Sequence, residues 1–197
     1  MNGISDIAGP LAAWRRSEGL TQAELALRLG VSQQAISYWE RGRDVPGAAH
    51  MAKIRQLLTQ SGELNVEKAF IRDQQTVRAV FDCDDLRMLA CSAGFNTVWP
   101  QFAQLIEVPM RDDLVNESAV LYADTSFRQA IAKKEIVAIS GISERHVRLP
   151  SDQPFKHRWF MRVRHFGSRM VGDMIFEPCH PEASVGVELF LKPDEWT

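Results

Sequence analysis

Three cysteines, five histidines and a group of aromatic residues are the side chains whose types could do chemistry. Cys179 and His180 are neighbours, but adjacent residues of a strand face opposite sides, so the pair does not make a ligand set. Cys83 lies among Asp82, Asp84 and Asp85. Their negative charge should raise the thiol's pKa and make it a poor nucleophile. Cys91 and Cys179 stand alone. An odd count of cysteines with no close pair fits reduced thiols in a cytoplasm. Phe95, Trp99, Phe102 and Trp159 could line a pocket for a small apolar ligand, or equally serve as plain core. No catalytic constellation emerges. The expectation is a protein without enzymatic activity, without a cofactor and without a metal site.

The chain has 197 residues, room for one large domain or two small ones. Its hydrophobic fraction of 45% and charged fraction of 24% are those of a soluble globular protein. No run approaches a membrane span. The opening MNGISDIAGP does not have the basic-then-apolar order of a signal peptide, which fits a cytoplasmic, membrane-free protein. Net charge is −2, unevenly divided. Residues 1–62 carry seven Lys/Arg and five acids, and the remainder carries 16 and 20. A slight basic surplus at the N-terminal end permits nucleic-acid binding without demonstrating it.

Helix signals crowd residues 9–60. Leu11, Trp14 and Arg15 open an amphipathic segment that stops at Gly19. Thr21 with Glu24 three residues on is a capping box, and Leu20 with Leu25 makes a hydrophobic staple. Leu25, Ala26 and Leu29 put an apolar stripe on one face. Gly30 ends that helix in the left-handed conformation, and Ser32 caps the next. Ala35, Ile36 and Trp39 mark the next helix's buried side, and Gly42 stops it. A further helix is predicted over 47–59, then a connector helix within 62–78 that could carry a dimer contact.

Two short helices joined by Gly30-Val31-Ser32 match a helix-turn-helix. The stretch resembles the Cro and phage-repressor type, the xenobiotic-response-element family. The likeness runs over residues ~8–60 and rests on Leu-Thr-Gln-Ala-Glu-Leu-Ala, Gly-Val-Ser and Ile-Ser-Tyr-Trp-Glu-Arg-Gly. It implies a regulator that binds double-stranded DNA at palindromic sites as a homodimer. By position, Gln22 should touch a phosphate. Ser32, Gln33 and Gln34, with Ser37 and Tyr38 one turn on, should face base edges in the major groove. A glutamine amide donates and accepts together and so pairs bidentately with adenine. Arg41 and Arg43 should hold phosphates. Arg28 reads as a solvated residue, and Glu40 as a partner for a nearby arginine. A different class remains open: an adaptor or antitoxin-like protein that uses the same fold on protein. Gln33 and Gln34 discriminate, because an adaptor has no need of exposed amides there.

The second half changes texture. Strands are predicted at 77–81 and 87–91 around the acidic turn, helices at 93–105 and 122–134 with an irregular stretch at 106–121 between them. Strands follow at 136–148, 157–166, 169–177 and 185–191. Trp99, Trp159, Trp196 and the eight phenylalanines from Phe95 onward supply a core. The order of elements, with Arg87–Phe95 and the hairpin Arg158–Glu177 around Gly167 and Gly172, resembles a PAS domain. That implies an α+β sensor or dimerisation domain over residues 79–197, controlled by a small apolar ligand or a protein partner. Two other likenesses fail on residues. Self-cleaving repressors of the LexA type need a serine after the aspartate of Val171-Gly172-Asp173-Met174 and a lysine base beyond it, and only Lys192 follows. A metal-binding cupin needs a His-x-His pair, which His146, His157, His165 and His180 do not form. A metal-free cupin-like barrel stays open.

Overall fold

A computed structural model describes residues 7–148, 155–166 and 169–193. Trp196 and Gly167, noted in the sequence, lie outside them. The chain divides into two compact units, residues 1–65 and 66–197.

The first unit is helical: α1 (Ala8–Ser17), α2 (Gln22–Leu29), α3 (Gln33–Glu40) and the beginning of α4 (Ala48–Arg72). Leu11, Leu25, Ile36 and Ile54 are fully buried at its centre, with Trp14, Leu29 and Trp39 around them. These are the apolar positions that the 3.6-residue period singles out. The two helices expected at 47–59 and 62–78 are one continuous helix. Gly62 does not interrupt it, because no left-handed cap forms there. A helical glycine costs about 1 kcal/mol, and the burial of Ile54, Leu64 and Ile71 along the same helix outweighs that.

The second unit is an antiparallel six-stranded sheet with helices, the α+β architecture that the PAS resemblance implied. The strands are β1 (Arg78–Asp82), β2 (Met88–Cys91), β3 (Ala138–Ser143), β4 (His157–Phe166), β5 (Arg169–Pro178) and β6 (Gly186–Leu191). They lie in the order β2-β1-β5-β4-β3-β6. Between β2 and β3 come α5 (Ala93–Val98), α6 (Pro100–Ala103), α7 (Asn116–Ala123) and α8 (Thr125–Ala132). The helix expected over 93–105 is broken at Trp99-Pro100, since Pro100 cannot donate into the ladder of a preceding helix. Part of the stretch expected to be irregular, 106–121, forms α7. Asp124 ends α7 and caps α8, accepting from the N–H groups of Ser126 and Phe127. One hydrophilic residue therefore replaces a single longer helix with two.

Alternation along each strand separates two faces. Phe81, Met88, Ile139, Trp159 and Phe176 join Phe95, Phe102 and Phe127 in one core cluster. Arg78, Arg162, Arg164 and Asp173 take the opposite face and pair with one another and with Glu67 of α4. Two glycines are required by close approach. A Cβ at Gly141 would stand 2.7 Å from the Trp159 ring and 2.6 Å from the Gly186 carbonyl oxygen. A Cβ at Gly94 would stand 2.0 Å from the Gln75 carbonyl oxygen. That contact is with backbone and cannot be relieved by a rotamer change. Gly94→Ala should therefore lower the stability of this unit by about 3 kcal/mol, read as a fall in the midpoint of chemical denaturation. A midpoint equal to wild type would contradict the packing described.

Candidate functional site

The N-terminal site is built by its caps. The Thr21 hydroxyl accepts from the Glu24 N–H, and the Glu24 carboxylate takes the Thr21 N–H at 2.7 Å. Gly30 adopts φ 73°, which lets the Val31 N–H reach the Ala26 carbonyl at 2.9 Å and turns the chain. Ser32 then caps α3 by accepting from the Ala35 N–H at 3.2 Å. The result fixes where α3 begins.

Of the residues expected to meet DNA, Ser32, Gln33 and Gln34 are exposed together at the start of α3. Gln34 donates to the Tyr38 hydroxyl at 2.8 Å, so these two side chains are held against each other along the helix. Arg41 and Arg43 are exposed just beyond it. Ser37 does not share that face: it is buried, and its hydroxyl accepts from the Arg41 guanidinium. Gln22 sits at the start of α2 and donates to Glu40 at 2.9 Å. Glu40 also takes two hydrogen bonds from Arg15, at 2.6 and 3.1 Å, while Arg15 donates to the Leu20 carbonyl at 2.7 Å. The sequence left Glu40's partner open, and Arg15 on α1 supplies it. The Arg28 guanidinium lies over the Trp14 ring, 5.5 Å from its centroid.

Burial alone would raise the Glu40 pKa. Hydrogen bonds from Arg15 and Gln22, with the charges of Arg15 and Arg16, overcome that and hold it below the ordinary carboxylate range.

The second unit contains a cavity of about 400 Å³. Phe95, Trp99, Phe102 and Trp159 all line it. Phe95 anchors this group, with ring centroids 5.1 Å from Trp99, 5.8 Å from Phe102 and 5.6 Å from Phe176. The Trp159 indole N–H donates to the Ser143 hydroxyl at 2.8 Å, which fixes that ring.

The cavity also has polar lining that the sequence did not reveal: Ser118, His146 and His157. Ser118 Oγ lies 2.9 Å from His146 Nδ1, and His146 Nε2 lies 2.8 Å from His157 Nε2. His157 Nδ1 is 2.5 Å from the Phe155 carbonyl oxygen. The pair does not fit a His-x-His pattern, because His146 follows β3 and His157 opens β4. Burial lowers both pKa values, His146 to about 3 with His157 beside it adding to the effect. Cys83 also lines the cavity. Its pKa is raised to about 12, first by burial and then by Asp82 and Asp84. The sequence anticipated the direction and credited the acids alone.

Among the described residues no three His, Cys, Asp or Glu side chains gather as a metal site would require. No helix among them is long and apolar enough to cross a membrane.

The family model described as Helix-turn-helix matches residues 11–61. No curated protein matches the chain. Among solved structures, a PAS domain from a two-component sensor histidine kinase matches at 12% identity with a TM-score of 0.40, covering 59% of this chain and 96% of that one.

The Arg15–Glu40 pair has a definite pH signature. A carboxylate whose pKa is depressed on folding adds stability above its unfolded pKa and loses it as pH falls through the folded value. Glu40→Gln should cost about 2 kcal/mol at pH 7, because Arg15 is left without its counter-charge. The difference from wild type should shrink as pH is lowered below about 4, as followed by denaturation across pH. A difference that stayed constant down to pH 2 would show that the pair's charge contributes nothing.

Proposed function

We propose that this chain, whose residues 11–61 form a DNA-binding helix-turn-helix domain, is a transcriptional regulator that reads a palindromic operator as a homodimer in the cytoplasm. The observation that carries this reading is the exposed pair Gln33 and Gln34 on the capped first turn of α3. Two amides at that place supply matched donors and acceptors to base edges in a major groove. The Gln34–Tyr38 hydrogen bond holds one amide in position before DNA arrives, which lowers the entropy cost of binding. Arg41 and Arg43 flank the helix as phosphate contacts, which set register and carry no sequence information. Ser37, being buried, serves by orienting Arg41. Gln22 gives one N–H of its amide to Glu40 and keeps the second for a phosphate, so Glu40 positions it for that contact.

One such domain covers about half an operator, and two need half-site centres about 34 Å apart. The second unit supplies the dimer contact and the control. Its cavity takes a small, mostly apolar ligand, and α4, the one helix with residues in both units, is the element through which control passes. No reaction is assigned to the chain.

The reading is tested by selecting duplexes from a random pool with the full-length protein and measuring affinity for the enriched site. A palindrome rich in A·T steps should emerge. Gln33→Ala and Gln34→Ala should each weaken that site by about 1–3 kcal/mol. Arg43→Ala should weaken all duplexes alike and flatten the dependence of log K on log salt by ~0.9. Retention of full affinity in the Gln33→Ala/Gln34→Ala double variant would remove α3 as the reader.

A further inference from the structure

The cavity's polar end has a direction, and the direction selects what can bind there. The chain of groups begins at the Phe155 carbonyl, which can only accept. His157 Nδ1, 2.5 Å away, must therefore carry a proton and donate it. A neutral His157 then offers a lone pair at Nε2, and His146 Nε2 must donate to it across 2.8 Å. A neutral His146 is left with a lone pair at Nδ1, and the Ser118 O–H fills it across 2.9 Å. Each step follows from the one before. At the end of the chain the Ser118 hydroxyl has spent its proton, and only its oxygen lone pairs remain for an occupant of the cavity. The group lies on α7 among apolar and aromatic walls that include Leu121, Trp159 and Phe176.

From this geometry, and resting on the reading of the cavity as a ligand site, we propose that the occupant is a compact, mainly apolar molecule whose polar end is a hydrogen-bond donor, a hydroxyl or an N–H, received by Ser118 Oγ. A volume of about 400 Å³ falls within the ~300–1,000 Å³ of sites for small molecules. That is room for a bicyclic aromatic alcohol or amine. Because burial holds both imidazoles below their ordinary range, they stay neutral at pH 7 and the chain keeps a single polarity. A proton added at His146 Nδ1 would reverse its bond with Ser118 and free the hydroxyl to donate, while the bond to the Phe155 carbonyl would keep its direction. Of the charged lining groups, Arg111 lies over the Tyr122 ring, 5.7 Å from its centroid, and Arg128 donates through Nη2 to Thr125 at 3.3 Å, while its Nε is buried without a partner. Burial first, and then the charges of Asp82 and Asp85, raise the Asp84 pKa.

The arrangement resembles the beginning of a nucleophilic Ser–His pair, but it does not work as one. The third member is a neutral imidazole in place of a carboxylate, so nothing stabilises the imidazolium that proton abstraction would create.

Two measurements on the full-length protein test the proposal. Long-range ¹H–¹⁵N spectra of the imidazoles should show the Nδ1–H tautomer for His157 and the Nε2–H tautomer for His146. The opposite tautomer at His146 would overturn the proposal outright, since Ser118 would then present a proton. Calorimetric titration with 2-naphthol and with 2-methoxynaphthalene compares two probes with one ring system, of which only the first donates. 2-Naphthol should bind about tenfold more tightly, and Ser118→Ala should abolish that ratio. Equal affinity of both probes for wild type would overturn donor selection and leave the cavity standing as a ligand site. Binding of neither would remove the cavity as a site for ligands of this size, and the proposal with it. The wild-type ratio and the tautomers decide the matter even if the Ser118→Ala protein does not fold.

Discussion

The second unit hangs on the guanidinium of Arg78. It donates to both oxygens of Asp173, at 2.7 and 2.8 Å, to Glu67 at 2.5 Å and to Gln74 at 3.3 Å. Asp173 also takes Arg162 at 3.0 Å, and Glu67 also takes Arg164 at 2.5 Å. Five charged side chains from α4, β1, β4 and β5 are thus fixed in one place, and hydrogen bonding to Asp173 above all raises the Arg78 pKa further. Such a cluster contributes little net stability, because desolvation offsets most of the Coulombic gain. Its value lies in register. A slip of one residue in β5 would carry Asp173 to the apolar face, leaving Arg162 without a counter-charge and Arg78 with Glu67 alone. The network assigns each strand's faces, and with them the side on which α5 to α8 must pack.

What could be read in the sequence divides along the same line. The first unit is made of local signals. Thr21 with Glu24, Gly30, Ser32 and Gly42 each act within five residues, and the structure uses each where the spacing places it. The strands of the second unit were legible from alternation, since β4 and β5 carry ten residues each. The helical part was less so. Trp99-Pro100 and Asp124 are breakers inside apolar runs, and a run of buried residues has no period that reveals such a break. The order β2-β1-β5-β4-β3-β6 is not a local property at all. It comes from pairings such as Arg78 with Asp173, 95 positions apart.

The candidate sites follow this division too. The exposed face of α3 was found by position, apart from Ser37, which is buried with its hydroxyl bonded to the Arg41 guanidinium. The four aromatic residues of the cavity were found because bulk and spacing mark a core, and the same residues serve core and cavity wall at once. Ser118, His146 and His157 were invisible for a physical reason. They lie on a helix, a loop and a strand, and the third meets the second only because β3 and β4 pair with Ser143 opposite His157.

The cavity is partly open, and its walls are mostly apolar. Water is a poor occupant of such a space, because each molecule wants two to four polar partners. The neutral chain from Phe155 to Ser118 offers one set of lone pairs at one end. A molecule with an apolar body and a single donor suits both requirements together. The unit should then be appreciably less stable without its occupant than with it. That gain in stability is not itself control: an occupant would bias the DNA-binding state only by the difference between its affinities for the two conformations.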